Sequence, residues 1–139
     1  MAKYCAFQER CTSEVREKLL KAEQSENEAD EIIHWLIENN FIDNKRFAIT
    51  FAEGKFRSKK WGKMKIRFHL EQKEIDDPLI TFALEQISDE DYRNTFEELL
   101  KEKQRITKGS NAYNKNHKIA RFLISRGFEP DMIWEYLRV

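Results

Sequence analysis

A pattern recurs along this chain and limits what it can fold into. Ile42-Asp43-Asn44-Lys45-Arg46-Phe47, followed by Phe51, matches Ile87-Ser88-Asp89-Glu90-Asp91-Tyr92, followed by Phe96, at an offset of 45 residues. Ile66, Leu70, Lys73 and Ile75 match Ile119, Leu123, Arg126 and Phe128 at an offset of 53. Leu79, Ile80 and Leu84 match Met132, Ile133 and Leu137 at that same offset. Val15 and Leu19 fit the Ile66–Leu70 position in an N-terminal copy, and Ile32, Ile33 and Leu36 fit its last helix. Self-similarity at such a period marks a chain built from stacked supersecondary units. A unit of this size has a thin core, and stacking on a neighbour buries more apolar area, at ~25 cal/mol per Å². The expected fold is therefore all-α: a tandem array of three three-helix repeats, elongated and curved, over residues 1–40, 41–87 and 88–139. The change of offset falls in Lys108–Asn116, KGSNAYNKN, which is polar, lacks an apolar period and reads as a loop.

Apolar spacing and end signals place the helices. A short helix over Tyr4–Glu9 precedes one capped by Ser13 that carries Val15 and Leu19. The next runs from about Glu28 to Glu38, with Ile32, Ile33, Leu36 and Ile37 as its core face, and stops at Asn39-Asn40. Asp43 caps a helix that buries Phe47 and Phe51 and continues past Gly54 and Phe56 towards Lys60. Trp61-Gly62 breaks it, and the following helix turns Met64, Ile66 and Leu70 inward. Asp77 caps the next, with Pro78 at its first position. Ser88 caps a long helix that ends near Ile106. A further helix stops at Gly127, and Glu129-Pro130 opens the last. No segment reads as a strand.

Charge is balanced overall but unevenly spread. Lys55, Arg57, Lys59, Lys60, Lys63, Lys65 and Arg67 stand together with no acid among them, and Phe56 and Trp61 lie between. An acidic stretch follows from Asp76 to Glu98, opposed only by Arg93. The acidic stretch reads as solvated helix faces. The basic corner is a candidate binding surface, for phosphates or for acidic protein surfaces alike. Its plainer reading is a solvated face with cations at a helix C-terminus, where the dipole favours them. Trp61 can stack on a base, but an aromatic at a helix junction more often fills the space between helices. Arg46 joins the candidates because the third copy has Asp91 in its place; it either pairs with an acid inside its own unit or contacts a partner.

Other chemistry has little support. His34, His69 and His117 have no Cys or carboxylate arrangement of a metal site or a catalytic triad, and no Gly-rich phosphate loop occurs. No catalytic residue, metal or cofactor is expected. Cys5 and Cys11 fit no zinc or disulfide pattern and read as reduced thiols of a cytoplasmic protein. The N-terminus lacks the apolar run of a signal peptide, and no segment approaches the ~20 apolar residues of a membrane span, so no membrane partner is expected.

FIDNKRFAITFAEGKFRSKKWGKMKIRFHLEQKEI at 41–75 and KIARFLISRGFEPDMIWEYL at 118–137, with Glu14-Val15-Arg16-Glu17-Lys18-Leu19, together resemble the RecX family of recombination regulators. Asp43 to Ala48 is similar to the family's acidic-acidic-x-Arg-Phe-Ala segment. Gly62 to Ile75 is similar to its Gly-x-x-x-Ile-x-x-x-Leu-x-x-Lys-Gly-Ile segment. The sequence departs from the pattern at Asn44, at Glu74, where the family usually has Gly, and in the longer Lys21–Asp30 connection. The resemblance implies a non-enzymatic protein that binds the RecA recombinase, above all the RecA filament on single-stranded DNA, and mainly inhibits it, with a weaker direct binding to DNA. A monomer is the expected state. The competing reading is a sequence-independent DNA-binding helical module that acts without RecA.

Overall fold

The computed structural model describes residues 1–138. Nine helices and no strand occur among them: α1 (Ala2–Phe7), α2 (Thr12–Lys21), α3 (Glu26–Glu38), α4 (Asn44–Lys59), α5 (Lys63–Gln72), α6 (Asp77–Glu85), α7 (Asp89–Ile106), α8 (Ala112–Ser125) and α9 (Pro130–Leu137). They fall into three units of three, in tandem.

The repeat is visible in the helix ends. Asp43 accepts from Arg46 N at 3.1 Å and Ser88 accepts from Asp91 N at 3.0 Å, so the two matched N-caps do the same work. The middle helix of every unit ends in the same turn. Gln24 N donates to Leu19 O at 3.1 Å, Ile75 N to Leu70 O at 3.2 Å, and Phe128 N to Leu123 O at 3.1 Å. The residue before each donor is left-handed: Glu23 at φ 65°, Glu74 at φ 61° and Gly127 at φ 97°. Inside, Val15, Ile66 and Ile119 are buried at one repeated position, and Leu19, Leu70 and Leu123 at the next.

The units are joined in two ways. One apolar core runs from Phe47 to Leu137 through the second and third units and takes in only Cys11 from the first. The first unit keeps its own cluster of Cys5, Val15, Leu19, Ala29, Ile33 and Leu36, closed by Ile42. Meanwhile the three middle helices meet head to tail. At the start of α5, Gly62 N donates to Arg126 O at 2.7 Å and Met64 N to Gly127 O at 3.0 Å, at the end of α8. At the start of α2, Ser13 Oγ donates to Lys73 O at 2.6 Å, at the end of α5. At the first of these junctions free amides of one helix start face free carbonyls of another helix end, with the dipoles in series, and at the second a side-chain hydroxyl takes the amide's place. This sets the units in a row.

Several expectations need correction. Cys11, not Ser13, is the N-cap of α2, because Glu14 reaches back to Cys11 N at 3.2 Å while Ser13 Oγ is engaged by α5. α3 starts earlier, at Glu26, because Ser25 and Glu28 cap each other reciprocally. Ile37 is exposed, at the solvent edge of the α3 face that buries Ile33 and Leu36. Asp76 takes the cap position of α6, which puts Pro78 second in the helix, where an N–H is also dispensable. Met64 faces solvent, opposite Ile66 and Leu70 on α5. The Lys108–Asn116 loop is shorter than expected, since Asn111 accepts from Asn114 N at 2.9 Å and starts α8 at Ala112.

Candidate partner-binding surface

The basic corner is a tight reversal between α4 and α5. Lys60 is left-handed at φ 56° and ψ 42°, and Trp61 N reaches back to Lys55 O at 3.3 Å. Gly62 is buried against Gly127 of the third unit, so the corner is pinned from outside its own unit. Trp61 fills the junction. Its ring centroid lies 6.5 Å from that of Phe51 and 4.5 Å from that of His69. Lys55 and Lys65 place their ammonium groups 5.2 and 4.7 Å from its centre. The ring is thus covered by its own chain and is not a free platform for a base.

The eight candidate cations separate once their neighbours are known. Arg46 lies away from the corner. Its Nε donates to both carboxylate oxygens of Glu9, at 2.8 and 2.5 Å, and its Nη2 to Asn40 O at 3.0 Å, which ties the first unit to the second. Arg57 pairs with Glu53 at 3.0 Å, one helical turn back. Arg67 reaches Asp77 at 3.3 Å and Thr81 at 3.1 Å on α6. The run is therefore not free of acids in three dimensions: two carboxylates outside the sequence interval reach into it. Lys55 and Lys65 are held over Trp61, and Lys65 also donates to Ser125 O at 3.4 Å. Lys63 lies 4.9 Å over the ring of Tyr92. Lys59 and Lys60 are exposed and join no ion pair among the described residues. They are the cations of the corner most open to a partner.

The local field is positive. Partial burial, then the charges of Lys65, Lys55 and Lys73, push the His69 imidazole below its ordinary value, so it stays neutral near pH 7. On the other side of the corner, Tyr92 Oη accepts from Lys63 N at 2.9 Å and donates to Glu129 Oε1 at 2.5 Å. Burial first, and then the Glu129 carboxylate, hold that phenol far above the usual tyrosine range. No three His, Cys, Asp or Glu side chains stand together as a metal ion would require, among the described residues. Cys5 and Cys11 are free and buried.

A local charge count misses Arg126. It comes from α8 and donates to Lys59 O at 3.1 Å, closing the C-terminal end of α4. It lies 67 positions from Lys59. The signal that could have pointed to it is the repeat, which matches Arg126 with Lys73. Lys73 closes the other junction, by an ion pair with Glu14 at 2.8 Å.

Three tandem three-helix units, stacked through their middle helices and carrying a basic corner, define a helical-repeat scaffold that presents a surface. The chain matches sequence profiles described as the first, second and third three-helix domains of RecX over residues 1–36, 43–84 and 89–137. It belongs to the RecX family. The regulatory protein RecX of Lactococcus lactis is 35% identical over 128 residues, covering 90% of this chain and 47% of that protein. That of Clostridium perfringens is 29% identical over 120 residues, covering 85% and 56%. The chain thus spans about half the length of these curated relatives. The crystal structure of RecX from Lactobacillus salivarius superposes with a TM-score of 0.84 at 27% identity, covering 97% of this chain and 90% of that one. A second RecX crystal structure gives 0.86 at 24% identity, covering 97% and 66%, and bears on the fold alone. No helix among the described residues is long and apolar enough to cross a membrane.

Proposed function

We propose that this chain regulates homologous recombination and DNA repair by binding the RecA recombinase, chiefly its filament on single-stranded DNA, and lowering its activity. It acts by occupancy, as a cytoplasmic monomer, and any ATP hydrolysis belongs to the partner. Membership of a family whose members are named regulatory proteins supports this reading. The structural observation that carries it is the pair Lys59 and Lys60, projecting at a helix reversal without a carboxylate partner. A filament is a helical array of protein on an anionic strand, and a row of units with cations at one corner can meet acidic protein and phosphate together. Lys55, Arg57, Lys63, Lys65 and Arg67 contribute to the positive field, and Arg46 holds the first two units together.

The test is the DNA-dependent ATPase of RecA with and without the chain, beside a titration on DNA alone. Charge reversal at Lys59, Lys60 and Lys63 is expected to weaken inhibition without unfolding the protein. Inhibition at undiminished potency would remove the basic corner from the mechanism. Tight, steeply salt-dependent binding to DNA with no effect on RecA would instead support a DNA-binding module acting without RecA.

A further inference from the structure

The repeat provides an internal reference for exposed positions as well as buried ones. Val15, Ile66 and Ile119 are equivalent, as are Leu19, Leu70 and Leu123, so Met64 corresponds to Ser13 and His117, and Phe68 to Glu17 and Arg121. The flanking units place polar or charged side chains there. The middle unit places two large apolar ones, and both face solvent: Met64 is 53% exposed and Phe68 56%. They lie four apart on α5, on the side opposite Ile66 and Leu70, and so form one apolar strip. Phe68 meets only the edge of the adjacent His69 ring, at 5.6 Å, whereas two other exposed aromatics are covered by more distant parts of the chain. Trp35 stacks on Phe41 at 5.8 Å and Phe82 lies under Lys45 at 4.2 Å.

The strip lies within the basic corner. On α5, Lys65 and Arg67 lie to either side of it, Arg67 with Asp77 as its partner, while Lys60 caps α4 on the other side of the reversal. Glu71, one turn beyond Phe68, is the acid at the far end. We infer that Met64 and Phe68 form the apolar centre of a docking face for an acidic segment of a protein partner, with Lys65 and Arg67 at its rim. Charge complementarity selects this occupant. A flexible thioether and a phenyl ring accept an apolar side chain, and surrounding carboxylates meet the cations of the rim. A second copy paired about a two-fold axis would bring its own Lys65 and Arg67 onto the same basic rim. A nucleic acid would match the charge but leave Met64 without an apolar counterpart.

This inference rests on the proposed function for its probe. Met64→Gln with Phe68→Gln retains good helix formers on an exposed face, so the thermal midpoint is expected to hold. Binding of the full chain is measured to RecA filaments on single-stranded DNA, and to the same DNA bare, with sedimentation to follow self-association. The expected result is a loss of filament affinity of on the order of tenfold or more, with binding to bare DNA unchanged. Unchanged filament affinity would overturn the docking face while leaving the functional reading intact. An equal loss on bare DNA would overturn it in favour of base stacking on Phe68. Self-association of the unsubstituted chain, abolished by the substitutions, would overturn it in favour of a second copy. Failure of the unsubstituted chain to bind filaments would overturn the functional reading, and the partner with it.

Discussion

Gly62 and Gly127 meet backbone to backbone where the second unit joins the third. A Cβ on Gly62 would fall on the Gly127 carbonyl group and on Phe128 N, and a Cβ on Gly127 would fall on Lys65. The absence of both side chains lets Gly62 N and Met64 N reach the carbonyls at the end of α8.

Gly62→Ala is therefore expected to destabilise by about 3 kcal/mol, because the obstruction is backbone and has no flexible end to move aside. Gly127→Ala adds left-handed strain at φ 97°. Gly54, inside α4, is the contrast, since a Cβ there would meet nothing within 4 Å. Gly54→Ala is expected to stabilise by roughly 0.5–1 kcal/mol. Urea unfolding of the three variants checks both signs.

Glu74 occupies in the second unit the left-handed place that Gly127 occupies in the third. Left-handed strain costs a non-glycine residue about 1–2 kcal/mol, and the added freedom of Gly in the unfolded chain returns about 0.4–1 kcal/mol of that. Glu74→Gly is expected to raise the urea midpoint by a net gain of roughly 0.5–1 kcal/mol with an unchanged m-value. A lowered midpoint would show that the Glu74 side chain contributes more than its backbone strain removes.

Tyr92 stands where the second unit has Phe47, and its hydroxyl is the difference. It accepts from Lys63 N and donates to Glu129, so one oxygen joins α5, α7 and the cap of α9. Tyr92→Phe keeps the ring against Phe56 and Phe128 and strands the Lys63 amide in a partly buried place. The expected loss is about 1–3 kcal/mol. Hydrogen exchange at the Lys63 amide should rise with it.

His69 makes stability depend on mild acid. Its folded pKa lies below the unfolded one, so the unfolded chain takes up the proton first as pH falls. The contribution is neutral above the unfolded value of about 6.5. Stability then falls with pH below that value and levels off only below the folded value. His69→Gln is expected to flatten this part of the profile. Denaturant midpoints between mildly acidic and neutral pH measure it, and an unchanged slope would refute the assignment.

Much of the molecule is legible from local pattern. The caps at Asp43 and Ser88, the stop at Gly127 and the buried pairs Ile66–Leu70 and Ile119–Leu123 follow from spacing and side-chain chemistry within a few residues. The misplaced ends at Ser13, Glu28, Asp77 and Asn116 lie where more than one residue can cap. Several nearby side chains were able to cap: at α2 a distant contact, Lys73 O taking the Ser13 hydroxyl, chose among them, while at α3 and α8 the local pairs Ser25–Glu28 and Asn111–Asn114 did. Met64 was misread because a short helix with few apolar residues leaves its inward face ambiguous, and packing against α4 and α6 decides it.

The sequence by itself determined three helical units and the repeated core of their buried faces, because helix period, capping and repetition are properties of neighbouring residues. It also marked the basic corner. Only the tertiary structure decided which of those charges remain available. Glu9 reaches Arg46 across 37 positions, Asp77 reaches Arg67 across 10, and Arg126 closes α4 across 67. Charge interaction follows distance in space, and packing sets that distance. It left Lys59 and Lys60 in water at the end of α4, and turned Met64 and Phe68 out on α5.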